Sequence, residues 1–184
     1  MVIYYIEFIK GGFIMRDNKI QSLVETSLAI ALICVGIMFI QIPSVGGFVH
    51  LGDSIIFVSV VILGKKRGAL AAGLGGFLAD IISGYAHWSV PTFIIKYIMA
   101  YIMGTVIEKQ NNTFKYGWVL GALIGSAWQV FGYAAASTLM FNFNTALADI
   151  PGNIVQSLAG AIIAIIIIFA ASKTSLSKLF YKKA

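Results

Sequence analysis

Asp53-Ser-Ile-Ile-Phe-Val-Ser-Val-Val-Ile-Leu-Gly64-Lys65-Lys66-Arg67-Gly68-Ala-Leu-Ala-Ala-Gly-Leu-Gly-Gly-Phe-Leu-Ala-Asp80-Ile-Ile82 is two apolar runs hinged on three consecutive cations. Three adjacent cations between apolar runs belong at a membrane surface, so the runs read as two helices that turn there, with Lys65 to Arg67 cytoplasmic. The rest of the chain repeats the pattern. Lys10, Arg16 and Lys19 precede the first apolar stretch, Lys109 and Lys115 separate the fourth from the fifth, and Lys173, Lys178, Lys182 and Lys183 follow the sixth. The gaps near residues 41–52, 83–90 and 142–150 hold no Lys or Arg. Cytoplasmic loops keep these residues and translocated loops shed them. The alternation therefore predicts an all-α integral membrane protein with six transmembrane helices and both termini cytoplasmic.

Composition supports a bilayer environment. The chain is 59% hydrophobic and 11% charged, too little polar surface to cover a soluble globule of 184 residues. Its net charge of +6 is split among separate cytoplasmic edges and forms no stripe, which argues against nucleic acid and for anionic lipid and topology setting. Cys34 is the one cysteine and excludes an intramolecular disulfide. No HExxH, CxxC or other tight metal-ligand spacing occurs, and no GxSxG elbow. Gly73-Leu-Gly75-Gly76 lacks the strand before it and the Gly-Lys-Ser/Thr after it that a phosphate loop needs, and reads as small-residue helix packing.

The predicted spans are residues 20–40, 53–64, 68–82, 91–107, 116–140 and 151–171. Four approach the roughly 20 residues that cross hydrocarbon. The second and third, at 1.5 Å per residue, reach only about 18 and 22 Å against a core of about 30 Å. Lys65 to Arg67 pin their inner ends, so their outer ends stop below the membrane surface. Non-helical backbone at that depth is tolerated only where it is buried in protein or lines a cavity. Gln41-Ile-Pro-Ser-Val-Gly-Gly-Phe-Val-His50 is suited to an inward-folding flap, and Ser83-Gly-Tyr-Ala-His-Trp-Ser89 carries an aromatic and imidazole cluster. Together they predict an outward pocket roofed by both loops.

Polar residues gather at that end. Asp53, Asp80, Asp149, His50 and His87 map to outer helix ends or loops, as do Asn142, Asn144 and Asn153, and Lys96 lies five residues past Pro91. Each has a structural alternative. Asp53 and Asp149 would cap the second and sixth helices, Lys96 would snorkel outward, and Asn153 and Gln156 would bond between helices. Lys96 inside a span needs a partner, and Asp80 is the nearest candidate by topology. With Tyr85, Trp88, Tyr97 and Trp128 these residues describe a small, polar and aromatic cavity fit for a flat, neutral or weakly charged heterocycle. A competing reading takes Asp80 and His87 as acid and base of an intramembrane lipid-modifying enzyme.

The runs Gly52-Asp53-Ser-Ile-Ile-Phe, Leu63-Gly64-Lys-Lys-Arg-Gly-Ala69, Gly75-Gly76-Phe-Leu-Ala-Asp80-Ile-Ile-Ser-Gly84-Tyr-Ala-His-Trp88, Pro91-Thr-Phe-Ile-Ile-Lys96 and Pro151-Gly-Asn153-Ile-Val-Gln156 resemble the S-component of an energy-coupling-factor (ECF) vitamin transporter. Within that group the likeness is greatest to the branch for hydroxymethylpyrimidine and pyridoxine-like substrates. Related S-components take riboflavin, pantothenate and other vitamins. The resemblance covers residues 20–171. It implies a vitamin-binding subunit of the plasma membrane with no chemistry and no cofactor or metal of its own, working with a transmembrane scaffold subunit and two ATPases that hydrolyse ATP. It also implies that small residues on the first helix, here Ser27 and Ala31 with Ala29 nearby, dock on the scaffold.

Residues 1–14 read as a gene-start overcall or a disordered leader ahead of Met15, the former because Lys10-Gly11-Gly12 can be encoded by a purine-rich ribosome-binding sequence. A signal peptide's basic start, compact apolar core and small-residue cleavage site are missing. Residues 15–184 read as one membrane domain.

Overall fold

A computed structural model of the protein describes residues 18–109 and 117–174. Six helices follow in order: α1 (Asn18–Phe39), α2 (Asp53–Leu63), α3 (Lys65–Ile82), α4 (Ser89–Lys109), α5 (Gly117–Met140) and α6 (Phe143–Ser172). The only strands among the described residues form a hairpin between α1 and α2, β1 (Gln41–Pro43) and β2 (Phe48–His50). A 3-10 turn, Ala86–Trp88, leads into α4. The proposed overcall at residues 1–14 lies outside the described residues.

Four of these helices, α1, α4, α5 and α6, are long and apolar enough to cross a membrane. The 11 residues of α2 rise only about 16 Å, so the expected shortfall stands. α3 is longer than expected. It begins at Lys65, and its 18 residues rise about 27 Å. The cations thus form its first turn, where Lys65 pairs with Glu108 of α4 and Arg67 with Glu25 of α1 at 2.9 Å. Gly64, at φ 78°, makes the turn from α2 to α3 in a backbone region that side chains disfavour.

Large apolar side chains such as Leu23, Leu28, Leu139, Ile166 and Phe169 face outward, as a lipid-facing surface requires. The interior is built of small residues, including Ala69, Ala72, Ala79, Ala100 and Ala122, around Ile33, Phe57, Met99 and Met103. Small residues let helices approach closely where no aqueous hydrophobic drive operates between them.

The sixth helix departs from expectation. Pro151 reads as its first residue, yet the helix begins eight residues earlier and runs through the proline. Asn142 supplies the reason, because its side chain accepts from the Thr145 N–H at 2.9 Å and caps the helix there. A proline inside a membrane helix is tolerated where neighbouring groups satisfy the backbone it frees. Asp149 consequently sits inside α6 and caps nothing. Asp53 does not cap either, since the N-cap of α2 is Gly52 with no side-chain hydrogen bond.

Candidate ligand site beneath the hairpin

The segment expected to be an irregular flap is an antiparallel hairpin, with Gln41 opposite His50, Ile42 opposite Val49 and Pro43 opposite Phe48. Pro43 fits because a short exposed strand needs no donor at that position. The tip closes through the Ser44 N–H to the Gly47 carbonyl at 2.9 Å. Three bodies then hold the hairpin down. Asp149 of α6 accepts from the Ser44 hydroxyl at 2.8 Å and the Gly46 N–H at 3.0 Å, while its other oxygen accepts from Ser137 of α5 at 3.2 Å. Trp88 donates its indole N–H to the Gly46 carbonyl at 2.7 Å. Gln41 donates to Ser83 at the end of α3 at 2.8 Å. Phe48 packs edge-on against Tyr85, with centroids 4.9 Å apart.

Under this roof lies a cavity lined by the hairpin tip, His50, Asp80, Trp88, Thr92, Tyr133, Asp149, Asn153 and Gln156. The space open to a water's centre is about 50 Å³. One water needs about 10–15 Å³ on that measure, so there is room for a small ring. Trp88 and Tyr133 form an aromatic wall, with centroids 5.8 Å apart and planes at 61°.

His50 offers a defined face. Its Nδ1 accepts from the Gly52 N–H at 3.1 Å, which leaves the proton of the neutral ring on Nε2. Burial, with the Lys96 ammonium opposing a second positive charge, lowers its pKa to about 3, so the ring is neutral at physiological pH.

Below the cavity a polar network ties four helices together. Lys96 (α4) and Asp53 (α2) are ion-paired and fully buried. Lys96 also donates to Gln129 Oε1 of α5 at 2.7 Å, and Gln129 Nε2 donates to Asp53 Oδ2 at 2.8 Å and to Ser157 of α6 at 2.9 Å. Gln156 of α6 donates to Asp53 Oδ2 at 3.1 Å and accepts from the His50 N–H at 3.0 Å. Both charges are therefore satisfied inside the protein, and the network reaches the hairpin through Gln156.

This architecture coincides with a family match that covers most of the chain. The family described as "ECF-type riboflavin transporter, S component" matches residues 17–173. The chain belongs to the ECF-transporter S-component family. It is therefore a membrane transport subunit and not an enzyme, and membership implies a transported substrate and an energy-coupling module as partners. Among its relatives, an uncharacterized protein in the gap 3' region of Pyrococcus woesei is 34% identical over 125 residues, 67% of this chain and 82% of the relative. The thiamine precursor transporter HmpT of Lactococcus lactis subsp. cremoris is 30% identical over 154 residues, 82% of this chain and 87% of the relative.

The sequence-predicted ligand-site residues of this S-component fall into four groups. His50, Asp80, Trp88, Asn153 and Gln156 line the cavity. Asp53 and Lys96 lie in the network beneath it and do not line it. Lys96 neither snorkels nor pairs with Asp80 as expected, because it is fully buried against Asp53 and Gln129. Tyr85 and His87 sit in the roof's aromatic rim, His87 packing on Phe141 with centroids 6.1 Å apart. Tyr97 and Trp128 are elsewhere. Tyr97 stacks between Phe93 and Tyr101 along α4, and Trp128 donates to the Ile95 carbonyl at 3.2 Å beside Phe131. Gln156 bonds between elements as one reading held, whereas Asn153 donates to the Asp149 carbonyl of its own helix at 3.1 Å. On α1, Ser27 and Ala31 face outward, but Ala29 is buried in the core and cannot share a docking face.

Sequence reasoning missed Gln129, Thr92 and Tyr133, and although it placed Asp149 at the cavity it did not foresee that this carboxylate fastens the hairpin. A lone Gln inside the apolar run of α5 is the signal that marks Gln129, since an amide in hydrocarbon needs partners.

Proposed function

We propose that this S-component captures a small flat heterocycle of the hydroxymethylpyrimidine or pyridoxine-like kind at the outer face and hands it across the membrane with a scaffold subunit and two ATPases. The observation that carries this reading is the cavity itself: ring-sized, walled by Trp88 and Tyr133, fringed by His50, Asp80 and Asn153, and closed by a hairpin that has its own fastenings. The similarity to a thiamine precursor transporter supports the same substrate class. Riboflavin is the second reading, favoured by the family description.

Mass spectrometry of protein purified without added ligand, followed by titration with hydroxymethylpyrimidine, pyridoxine and riboflavin, tests the choice. A co-eluting pyrimidine or pyridine is expected. Riboflavin as the tight ligand selects the second reading, and an empty, unresponsive protein refutes both.

The outward position of Ser27 and Ala31 on α1 supports a role in docking. Ser27→Leu or Ala31→Leu is expected to abolish uptake in cells that carry the coupling module, while purified protein binds ligand as before, because both residues are remote from the cavity. Uptake equal to the parent's would remove this face from the transport cycle.

A further inference from the structure

Among the described residues that line the cavity, one buried side-chain acceptor has no partner. Asp80 lies near the outer end of α3 and lines the cavity, the residue is 5% exposed, and its Oδ2 has no hydrogen bond. The other two aspartates at this end are fully engaged, Asp53 by Lys96, Gln129 and Gln156, and Asp149 by Ser44, Gly46 and Ser137. Lys96, the buried cation, is committed to Asp53 and Gln129 and so does not complete Asp80. Beside Asp80 on the cavity wall, the Tyr133 hydroxyl donates to Thr92 Oγ1 at 3.3 Å. An ionised carboxylate only accepts, and a buried acceptor is ordinarily satisfied. Asp80 Oδ2 is thus an acceptor in want of a donor, and the space in front of it is the cavity.

Resting on the reading of this cavity as the vitamin site, we propose that Asp80 determines specificity by accepting one N–H from a primary amine on the bound ring, so that the S-component selects an aminopyrimidine over its deamino and oxo counterparts. The hairpin side of the cavity is complementary. His50 Nε2–H is the donor left on its ring, suited to a ring nitrogen or hydroxyl of the same ligand, whereas Gln156 has its carbonyl and amide committed to His50 N–H and Asp53. An oxo group in place of the amine would set acceptor against acceptor at Asp80. A site built to meet an N–H rejects an analogue that lacks it because the protein group is then stranded.

The test compares 4-amino-5-hydroxymethyl-2-methylpyrimidine with its 4-deamino and 4-oxo analogues, by calorimetry on the purified full chain and on Asp80→Asn. The parent protein is expected to bind the amine about 10- to 100-fold more tightly than the deamino compound, and the oxo compound least of all. Asp80→Asn, whose amide also donates, should lose affinity for the amine and gain it for the oxo compound. A purely structural Asp80 would not produce that inversion. Equal binding of amine and deamino analogue by the parent, or an unchanged preference in Asp80→Asn, overturns the assignment. If Asp80→Asn does not fold, the ligand comparison on the parent protein alone decides. Binding of pyridoxine or riboflavin without any aminopyrimidine overturns the amine requirement and leaves the cavity's role standing. Binding of none of these overturns both.

Discussion

Lys96→Met is expected to destabilise the protein by about 3–5 kcal/mol, the usual cost of removing one member of a buried ion pair. Asp53 would be left fully buried, keeping two glutamine amides but no cation. The loss should appear as a lower unfolding midpoint in detergent and reduced yield. Sequence alone suggests a different result, weaker ligand binding with expression intact, because it places Lys96 among the residues of the cavity with Asp80 as its partner. In the structure Lys96 lies beneath the cavity wall, so its first duty is to hold α2, α4 and α5 together. Lys96→Met combined with Asp53→Asn should recover at least half of the lost stability, since no charge then remains unpaired. A single Lys96→Met protein that unfolds within about 1 kcal/mol of the parent would show that the pair contributes little beyond what apolar packing would supply.

The second large effect separates two adjacent glycines. A Cβ on Gly46 would stand 2.3 Å from Asp149 Oδ2 and 3.2 Å from its Cγ, whereas one on Gly47 meets nothing nearer than Trp88 Nε1 at 3.6 Å. Asp149 cannot easily move aside, being held by Ser44 and Ser137. Gly46→Ala should therefore break both the Asp149 and Trp88 fastenings of the hairpin, and Gly47→Ala should leave them intact. With hydroxymethylpyrimidine as ligand, Gly46→Ala is expected to raise the dissociation rate by about 10- to 100-fold, equivalent to about 1.4–2.8 kcal/mol if association is unchanged. Gly47→Ala should change it by less than about threefold. Stopped-flow tryptophan fluorescence reads the release, because Trp88 lies in both the fastening and the cavity wall. Identical rates in the two variants would mean that the hairpin does not govern escape.

What was legible in the sequence follows from what one-dimensional patterns encode. Hydropathy and the placement of Lys65 to Arg67 carry helix number and the shortness of α2, since both are local consequences of the bilayer. The collection of polar residues at one end carries the position of the cavity. Partner choice is different. Lys96 meets Asp53, 43 positions away, and not Asp80, because α2 packs closely enough on α4 and α6 for its first residue to face Gln129 and Gln156 as well. No spacing rule reports that crossing. Pro151 misled because a proline ordinarily marks a helix start, while the weaker cap signal of Asn142 lies nine residues before it. The hairpin escaped notice because strands of three residues, one ending in Pro43, are too short for alternation to register.

The ion pair joining α2 to α4 also constrains how the protein is made. Asp53 enters the bilayer first, on a helix too short to span it, and its counter-charge arrives only when α4 is threaded in behind α3. The glutamines come later still, on α5 and α6. Helices that insert before they associate carry such groups unmatched in the interim. A chain stalled or truncated before α4 thus carries Asp53 without its counter-charge.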